Sequence, residues 1–367
     1  MHSTRITEYL TRELERLEEI GLRRHPRDAR AADATSFCSN DYLGLASRFP
    51  PPATPSGAGA SRLVDGEREA HAALESAFAG LVGAESALAF TSGYAANLGV
   101  ISALAAPGDL VVSDALNHAS LIDGMRLSRA RVAVVPHNDL DAIARELTSR
   151  QESRAWVAVE SYYSMDADGA DLAALRAICD QADAGLIVDE AHALGVLGPQ
   201  GRGRCAEAGI TPDVLIGTLG KSFGSQGALV AGPSVLREWL WNRARSFVFS
   251  TGLSPAAADA GRRAIEESLR TPSLRERTLH NAARLRDALS GLPNATLLGF
   301  GHVVPLVVGT AKRAMAISNH LAAAGIDVPP IRPPTVPDGQ ARLRLTATGA
   351  QSDADIDRLA HAIRAAS

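Results

Sequence analysis

The sequence predicts an α/β protein: a mostly parallel central sheet with helices on both faces, followed by a smaller α+β C-terminal domain. Short, almost wholly apolar segments recur between Ala87 and Ala231, and helical segments lie between many of them. Strands that read as continuous apolar runs are buried on both faces, which is the mark of a parallel sheet covered by its crossover helices. Beyond about Ser254 the order changes to two long helical stretches, two strand-like runs and a last helix.

The elements follow in order. Ile6, Leu10, Leu14, Leu17 and Ile20 recur at helical spacing among charges, so an amphipathic helix opens the chain. It ends near Gly21, and Pro26 prevents a restart. Phe49 to Gly59 is rich in Pro, Gly and Ser and reads as a loop. Strands are expected at Ala87–Phe90, Leu110–Ser113, Arg131–Pro136, Trp156–Glu160, Leu186–Asp189, Val214–Gly217 and Ala228–Ala231, with helices such as Asp139–Arg150 and Leu172–Ala182 between them. Further strands are expected at Val303–Val308 and Ala341–Thr346, and a helix from about Asp353 to Ala365. The expected division is an N-terminal helix and arm over 1–48, a large domain over 49–253 and an α+β domain over 254–367.

Composition narrows the function. The chain has 367 residues, more than one core usually serves, and its 46% hydrophobic content excludes global disorder. A formal net charge of −4 with no Lys/Arg run argues against nucleic acid as a partner. Three scattered cysteines, Cys38, Cys179 and Cys205, suggest neither a disulfide framework nor a metal site. The N-terminus mixes Arg and Glu without an apolar core, and no apolar run is long enough to span a bilayer. A soluble cytoplasmic protein without membrane association is expected. Arginine greatly outnumbers lysine, which makes each lysine worth inspecting.

In open α/β sheets ligands gather at the carboxyl ends of the strands, and four features lie there. Thr91-Ser92-Gly93-Tyr94-Ala95-Ala96-Asn97 follows a strand and opens a helix. It reads either as an ordinary turn or as a phosphate cradle, in which glycine lets backbone N–H groups approach an anion. Asn117-His118-Ala119-Ser120 offers an imidazole able to stack on an aromatic ring, or a structural histidine. Asp189 ends an apolar strand in Val188-Asp189-Glu190-Ala191-His192. It can cap the next turn, or keep a ring nitrogen protonated so that the ring becomes an electron sink; His192 could face the same cavity. Lys221, in Thr218-Leu219-Gly220-Lys221-Ser222-Phe223-Gly224, also follows an apolar strand. It is either a loop lysine or a desolvated amine able to form an imine, with Thr218 and Ser222 offering hydroxyls to a phosphate.

In that order and at those strand ends, the four features resemble the fold-type I (aminotransferase-like) pyridoxal-phosphate enzymes. Within them the chain resembles the α-oxoamine synthases over nearly its whole length. Ser39-Asn40-Asp41-Tyr42-Leu43-Gly44-Leu45 is similar to their N-terminal signature. His118-Ala119-Ser120, Ser164-Met165-Asp166, Asp189-Glu190-Ala191-His192 and Gly220-Lys221 match in order. Ile331-Arg332-Pro333-Pro334-Thr335-Val336-Pro337 with Arg342-Leu343-Arg344-Leu345 is most similar to the 8-amino-7-oxononanoate synthase subfamily; His137-Asn138-Asp139 and Gly21-Leu22-Arg23-Arg24 agree.

The resemblance implies a decarboxylative condensation of L-alanine with a pimeloyl thioester, pimeloyl-CoA or pimeloyl-acyl-carrier protein, in biotin biosynthesis. The cofactor would be pyridoxal 5′-phosphate and the assembly a homodimer. Lys221 would carry the cofactor as a Schiff base and act as general base, Asp189 would pair with the ring nitrogen, and His118 would stack on the ring. His192 and Ser164 would contact its oxygen substituent, and Gly93, Tyr94 and Thr218 would help hold it. Ser250 and Thr251 would reach the partner's phosphate. Arg344 would grip the alanine carboxylate with Asn40 nearby, and Thr335, Arg23 and Arg24 would lie on the acyl-thioester side. His192 could also polarise the attacked carbonyl. Several positions depart from the family pattern. Ser47 to Ala60 is short and proline-rich, Ala60-Ser61-Arg62 stands for G-S-R, Ala167 takes the place of a glycine, and Ala193-Leu194 follows the histidine. The rival readings are a sister synthase using glycine with acetyl-CoA or succinyl-CoA, an aminotransferase, and a non-catalytic pyridoxal-phosphate-binding regulator.

Overall fold

The computed structural model describes residues 4–19, 23, 34–50 and 53–366. Seven strands form the large sheet: β1 (Ser86–Phe90), β2 (Leu110–Asp114), β3 (Arg131–Val135), β4 (Ala155–Glu160), β5 (Gly185–Asp189), β6 (Val214–Thr218) and β7 (Ala228–Gly232). Their spatial order is β1-β7-β6-β5-β4-β2-β3. Every pairing is parallel except those of β7, which runs antiparallel to both β6 and β1. No helix lies between β6 and β7, as an antiparallel neighbour needs no crossover.

The expected strands agree with the observed ones to within one residue at each end. Two apolar layers cover the sheet. One includes Leu74, Phe78, Leu175, Leu219 and Ile265, and the other Val100, Leu121, Met125 and Leu240. The helix Pro255–Arg270 contributes Ala258, Ala264 and Ile265 to the first layer, so its buried face belongs to the large sheet. Only β3, at the edge, leaves apolar side chains open: Val134 is 65% exposed.

The second sheet is antiparallel, in the order β10 (Pro330–Ile331), β11 (Ala341–Thr346), β9 (Val303–Gly309), β8 (Thr296–Leu297). The helices Ser273–Leu289, Ala311–Ala323 and Asp353–Ala366 pack on it through Leu285, Leu289, Ile317, Leu321, Ile356 and Leu359. The N-terminal helix is Thr4–Glu19, and Ile6, Leu10 and Leu14 on it are exposed. None of the described helices is long and apolar enough to cross a membrane.

Gly217 of β6 shows how tightly the first layer is packed. A Cβ placed there would lie 2.6 Å from Cζ of Phe78, which is fully buried on the helix Glu69–Val82. Deleting that ring removes apolar area and leaves a cavity the sheet cannot close. Phe78→Ala is expected to cost about 3–5 kcal/mol in denaturant unfolding. A loss under about 1 kcal/mol would mean that the ring is not seated in the core.

Candidate active site

The strand ends bring Asp189, His118 and Lys221 together. Asp189 closes β5 and is buried. Its Oδ1 accepts the Ala191 N–H at 2.8 Å and its Oδ2 accepts Asn97 Nδ2 at 2.8 Å. Asn97 lies on the helix Gly93–Leu104 and donates its other N–H to Ser120 Oγ at 2.9 Å. Ser120 Oγ stands 2.7 Å from His118 Nδ1, which also receives the Ser120 N–H at 3.3 Å. With Nδ1 accepting, the neutral His118 carries its proton on Nε2. Burial holds His118 below the usual imidazole range, with Asp189 pulling up and Lys221 pulling down. Asn97 Oδ1 is buried and has no hydrogen-bond partner among the described residues.

Glu160 ends β4 beside Asp189, its cross-strand partner in the ladder, and accepts the His118 backbone N–H at 2.7 Å. Burial and then the Asp189 charge raise the Glu160 carboxyl to about 8, against the opposing pull of Lys221. Half-buried Lys221 follows β6 in a bend. Burial lowers its ammonium to about 8, with Asp189 and Glu160 opposing the shift and Arg344 adding to it. An amine shifted in this way gives up its proton far more readily than a solvated lysine, and is half neutral near pH 8.

A second cluster faces the first. Arg344 on β11 donates from Nε to the Ser164 carbonyl at 2.7 Å and from Nη1 to Asn40 Oδ1 at 3.2 Å. The Tyr42 hydroxyl lies 3.1 Å from Asn40 Oδ1 and 2.8 Å from His192 Nδ1. Arg344 fixes the oxygen of Asn40 as the acceptor, so Tyr42 donates to it and receives the His192 Nδ1–H. That tautomer leaves His192 Nε2 with a lone pair. Burial, then the charges of Lys221 and Arg344, keep His192 well below the usual range and neutral. Fully buried His302 stands edge-on to Tyr42, with ring centroids 4.2 Å apart.

The remaining expected residues are placed differently. Gly93 opens its helix opposite Thr218. A Cβ on Gly93 would sit 3.9 Å from the Thr218 side chain, filling the space beside the first-turn N–H groups. Those of Gly93 and Tyr94 have no acceptor within the helix. Thr218 Oγ1 donates to the Gly227 carbonyl at 3.1 Å and accepts the Gly220 N–H at 3.2 Å, so its one proton is committed and it could serve an anion only by turning away from that carbonyl. Ser222 is corrected: its buried hydroxyl donates to the Leu194 carbonyl at 2.6 Å, so it is no donor for an anion. The Tyr94 ring is exposed and its hydroxyl is bonded to Asp123. Ser164 reaches the cluster through its backbone carbonyl. Ser250 is half-buried, while Thr251 and Thr335 are exposed. Arg23 pairs with Glu18 at 3.6 Å on the N-terminal arm, and Arg24 lies outside the described residues.

Arg342 requires a further correction. Alternation along Ala341–Thr346 puts it on the same face as Arg344, a pattern that by itself allows both side chains to be solvated. It is instead fully buried, donating from Nη1 to the Met165 carbonyl and to Asp166 Oδ1, both at 2.8 Å. Nearby, Ala167 has φ 56°, the left-handed conformation that suits the family's glycine at this position. Asn97, Glu160, Tyr42 and His302 had been assigned no role. Glu160 alone carried a usable signal, an acidic residue ending an apolar strand as Asp189 does.

Comparison with known proteins agrees with this arrangement. The family described as aminotransferase class I and II matches residues 32–363. An 8-amino-7-oxononanoate synthase of Geobacter sulfurreducens is 43% identical, covering 96% of each chain. One of Mycolicibacterium gilvum is 46% identical over 91% of this chain and 90% of its own. A solved lysine-to-alanine variant of serine palmitoyltransferase from S. paucimobilis, with a bound PLP–myriocin aldimine, superposes with a TM-score of 0.89 at 26% identity, covering 97% of this chain and 96% of its own. The chain belongs to the aminotransferase class I and II family, and within it to the 8-amino-7-oxononanoate synthases, acyltransferases of the α-oxoamine synthase family.

Proposed function

We propose that the protein joins L-alanine to a pimeloyl thioester, releasing CO₂ and free thiol, to give 8-amino-7-oxononanoate in biotin biosynthesis. The observation that carries this reading is the Arg344 guanidinium, fixed by Ser164 and Asn40 and electrostatically coupled to the Lys221 amine. The residues fit pyridoxal 5′-phosphate. Gly93 leaves open N–H groups at a helix start beside Thr218, Asp189 is a carboxylate oriented by two donors, and Lys221 is a desolvated amine. When bound, that cofactor supplies an electron sink for negative charge at the alanine α-carbon.

The protein's own groups divide the rest of the work. Lys221 would hold the cofactor through Nζ and, once displaced by alanine, take the α-proton on that nitrogen. Asp189, held by Asn97 and the Ala191 N–H, would keep the ring nitrogen protonated. His118 would lie on the ring, positioned by Ser120 and by Glu160. His192 Nε2 has a lone pair and would accept a hydrogen bond from the ring's hydroxyl substituent; it carries no proton with which to polarise the thioester carbonyl. Arg344 would grip the alanine carboxylate. Thr335, Arg23 and Arg24 would face the acyl thioester, and Ser250 and Thr251 the phosphate across a homodimer interface. Thiol release measured with alanine or glycine against pimeloyl-, acetyl- and succinyl-CoA tests the reading. Alanine with the pimeloyl thioester is expected to dominate, and preference for glycine with a short acyl group would assign a sister synthase instead.

The arginines give a second test. A guanidinium binds a carboxylate through two parallel hydrogen bonds, which lysine cannot reproduce. Arg344→Lys is expected to weaken alanine binding about 100-fold or more, equivalent to about 2.7 kcal/mol, with the cofactor's visible band unchanged. Arg342→Lys keeps a cation beside the Met165 carbonyl and Asp166, so it should lower stability and change alanine affinity much less than Arg344→Lys does. Spectral titration with alanine checks both, and unaltered affinity in Arg344→Lys would place the clamp elsewhere.

A further inference from the structure

His137 lies just past β3 with both ring nitrogens on carboxylates. Nδ1 is 2.8 Å from Asp114 Oδ1, and Nε2 is 3.1 Å from Asp168 Oδ1. An ionised carboxylate only accepts, so pairing with both makes the ring an imidazolium; Asn138 Nδ2, 3.0 Å from Nε2, would then meet it donor against donor, which turning the amide over relieves by bringing its buried, unpartnered Oδ1 to that nitrogen. Asp114 ends β2, is buried, and takes the Asn138 N–H on Oδ2 at 2.8 Å. Asp168 belongs to the loop after β4. That loop closes on itself through Tyr163 N–H to the Asp168 carbonyl and Ala167 N–H to the Tyr163 carbonyl, both at 2.8 Å. The Tyr163 ring stands edge-on to His137, with centroids 4.5 Å apart.

The same loop holds the arginines of the other sheet. The Ser164 carbonyl takes Arg344 Nε, and the Met165 carbonyl and Asp166 Oδ1 take Arg342 Nη1. A connected path therefore runs from β2 through the imidazolium to the loop and on to the guanidinium that faces Lys221. We propose that Asp114, His137 and Asp168 form a positioning triad that seats loop 161–168 against Arg344 and thereby sets affinity for the carboxylate of the amino-acid substrate. The proposal rests on the reading of Arg344 as the carboxylate clamp.

The charged groups facing His137 are Asp114 from β2 and Asp168 from the loop; the Tyr163 phenol is the other titratable neighbour. Burial alone would lower the imidazolium, but the hydrogen bonds and charges of Asp114 and Asp168 lift it to about 10. A folded-state value raised above the ordinary 6.5 means that the triad's stabilisation is complete below about pH 6.5 and is lost as pH rises through about 10.

The test uses the cofactor-loaded enzyme as wild type, His137→Gln, His137→Arg, Asp168→Asn and Arg344→Lys. Alanine affinity, kcat and both KM values are measured for each. His137→Gln and Asp168→Asn are expected to raise the alanine KM and dissociation constant about tenfold or more, with kcat at saturating alanine and the acyl-thioester KM within about threefold. His137→Arg keeps a cation between the carboxylates and should recover most of the affinity. Asp168→Asn removes the charge from one partly exposed contact while leaving an acceptor oxygen, and keeps the test open if His137→Gln does not fold. Independently, nitrogen NMR of the ring should show both nitrogens of His137 protonated at about pH 8 in wild type. A neutral ring there overturns the proposal, as does unchanged alanine affinity in Asp168→Asn or a uniform fall in kcat with both KM values altered. Weakened alanine binding in Arg344→Lys without any effect of the triad variants refutes the triad alone. Unchanged binding in Arg344→Lys removes the clamp reading itself.

Discussion

Replacing Lys221 with alanine is expected to abolish turnover, a loss of about 10⁴-fold or more, because one amine performs two tasks. On the proposed function it would be both the covalent anchor for the cofactor and the base that reaches the substrate α-carbon. Its fitness for both follows from where the chain puts it. A lysine beyond β6 loses hydration as the surrounding elements cover it, and its ammonium falls to about 8. The apo-enzyme amine should therefore react with aldehydes at a rate that reaches half its maximum near pH 8. Borohydride reduction of the loaded enzyme followed by peptide mapping should place the pyridoxyl group on Lys221. The chain has one other lysine, Lys312, which is exposed at the start of the helix Ala311–Ala323. Label on Lys312, or turnover in Lys221→Ala, would remove Lys221 from the centre of the reaction.

How much of this was readable from the sequence follows from which interactions are local. β4, β5 and β6 were readable because burial on both faces makes each a continuous apolar run, bounded by polar residues. The direction of β7 was not, since a buried apolar run of five residues has the same pattern whichever way it points. The missing helix between Thr218 and Ala228 was the only clue. Asp189 and Lys221 stood out as polar residues ending apolar strands. Asn97 did not, because its task is set by Asp189, which lies 92 residues further along the chain. The burial of Arg342 was not legible for a related reason. Alternation reports that two side chains share a face, but a loop from after β4 decides that the face is covered. His137 had only a motif resemblance, and its two carboxylates come from separate strand ends that the pattern of its own segment cannot reveal.

Asp189→Asn is expected to keep some cofactor and lose catalysis. The carboxylate accepts the Ala191 N–H on one oxygen and the Asn97 amide on the other, so its orientation is fixed before any ligand arrives. A carboxylate held in this way stabilises a protonated ring nitrogen through a charge-assisted hydrogen bond, and the protonated ring draws charge from the substrate α-carbon. A neutral amide of the same shape cannot balance that proton. Its NH₂ group would also confront either the Asn97 amide or the Ala191 N–H, donor against donor, unless the side chain turns away. The Gly93 turn and the Lys221 amine, proposed to hold the cofactor, are untouched, so binding should weaken less than the rate. Loss of a preorganised charge at the reacting ring costs about 3–4 kcal/mol of transition-state stabilisation or more, which is about 10²–10³-fold in kcat. Asp189→Glu retains the charge at a displaced position and should fall between the two. The measurements are kcat at saturating substrates and cofactor retention after gel filtration. A kcat for Asp189→Asn within about tenfold of wild type, roughly 1.4 kcal/mol, would show that the ring proton is held by something else. Glu160, the other buried carboxyl beside the Lys221 amine, would then be the group to replace next.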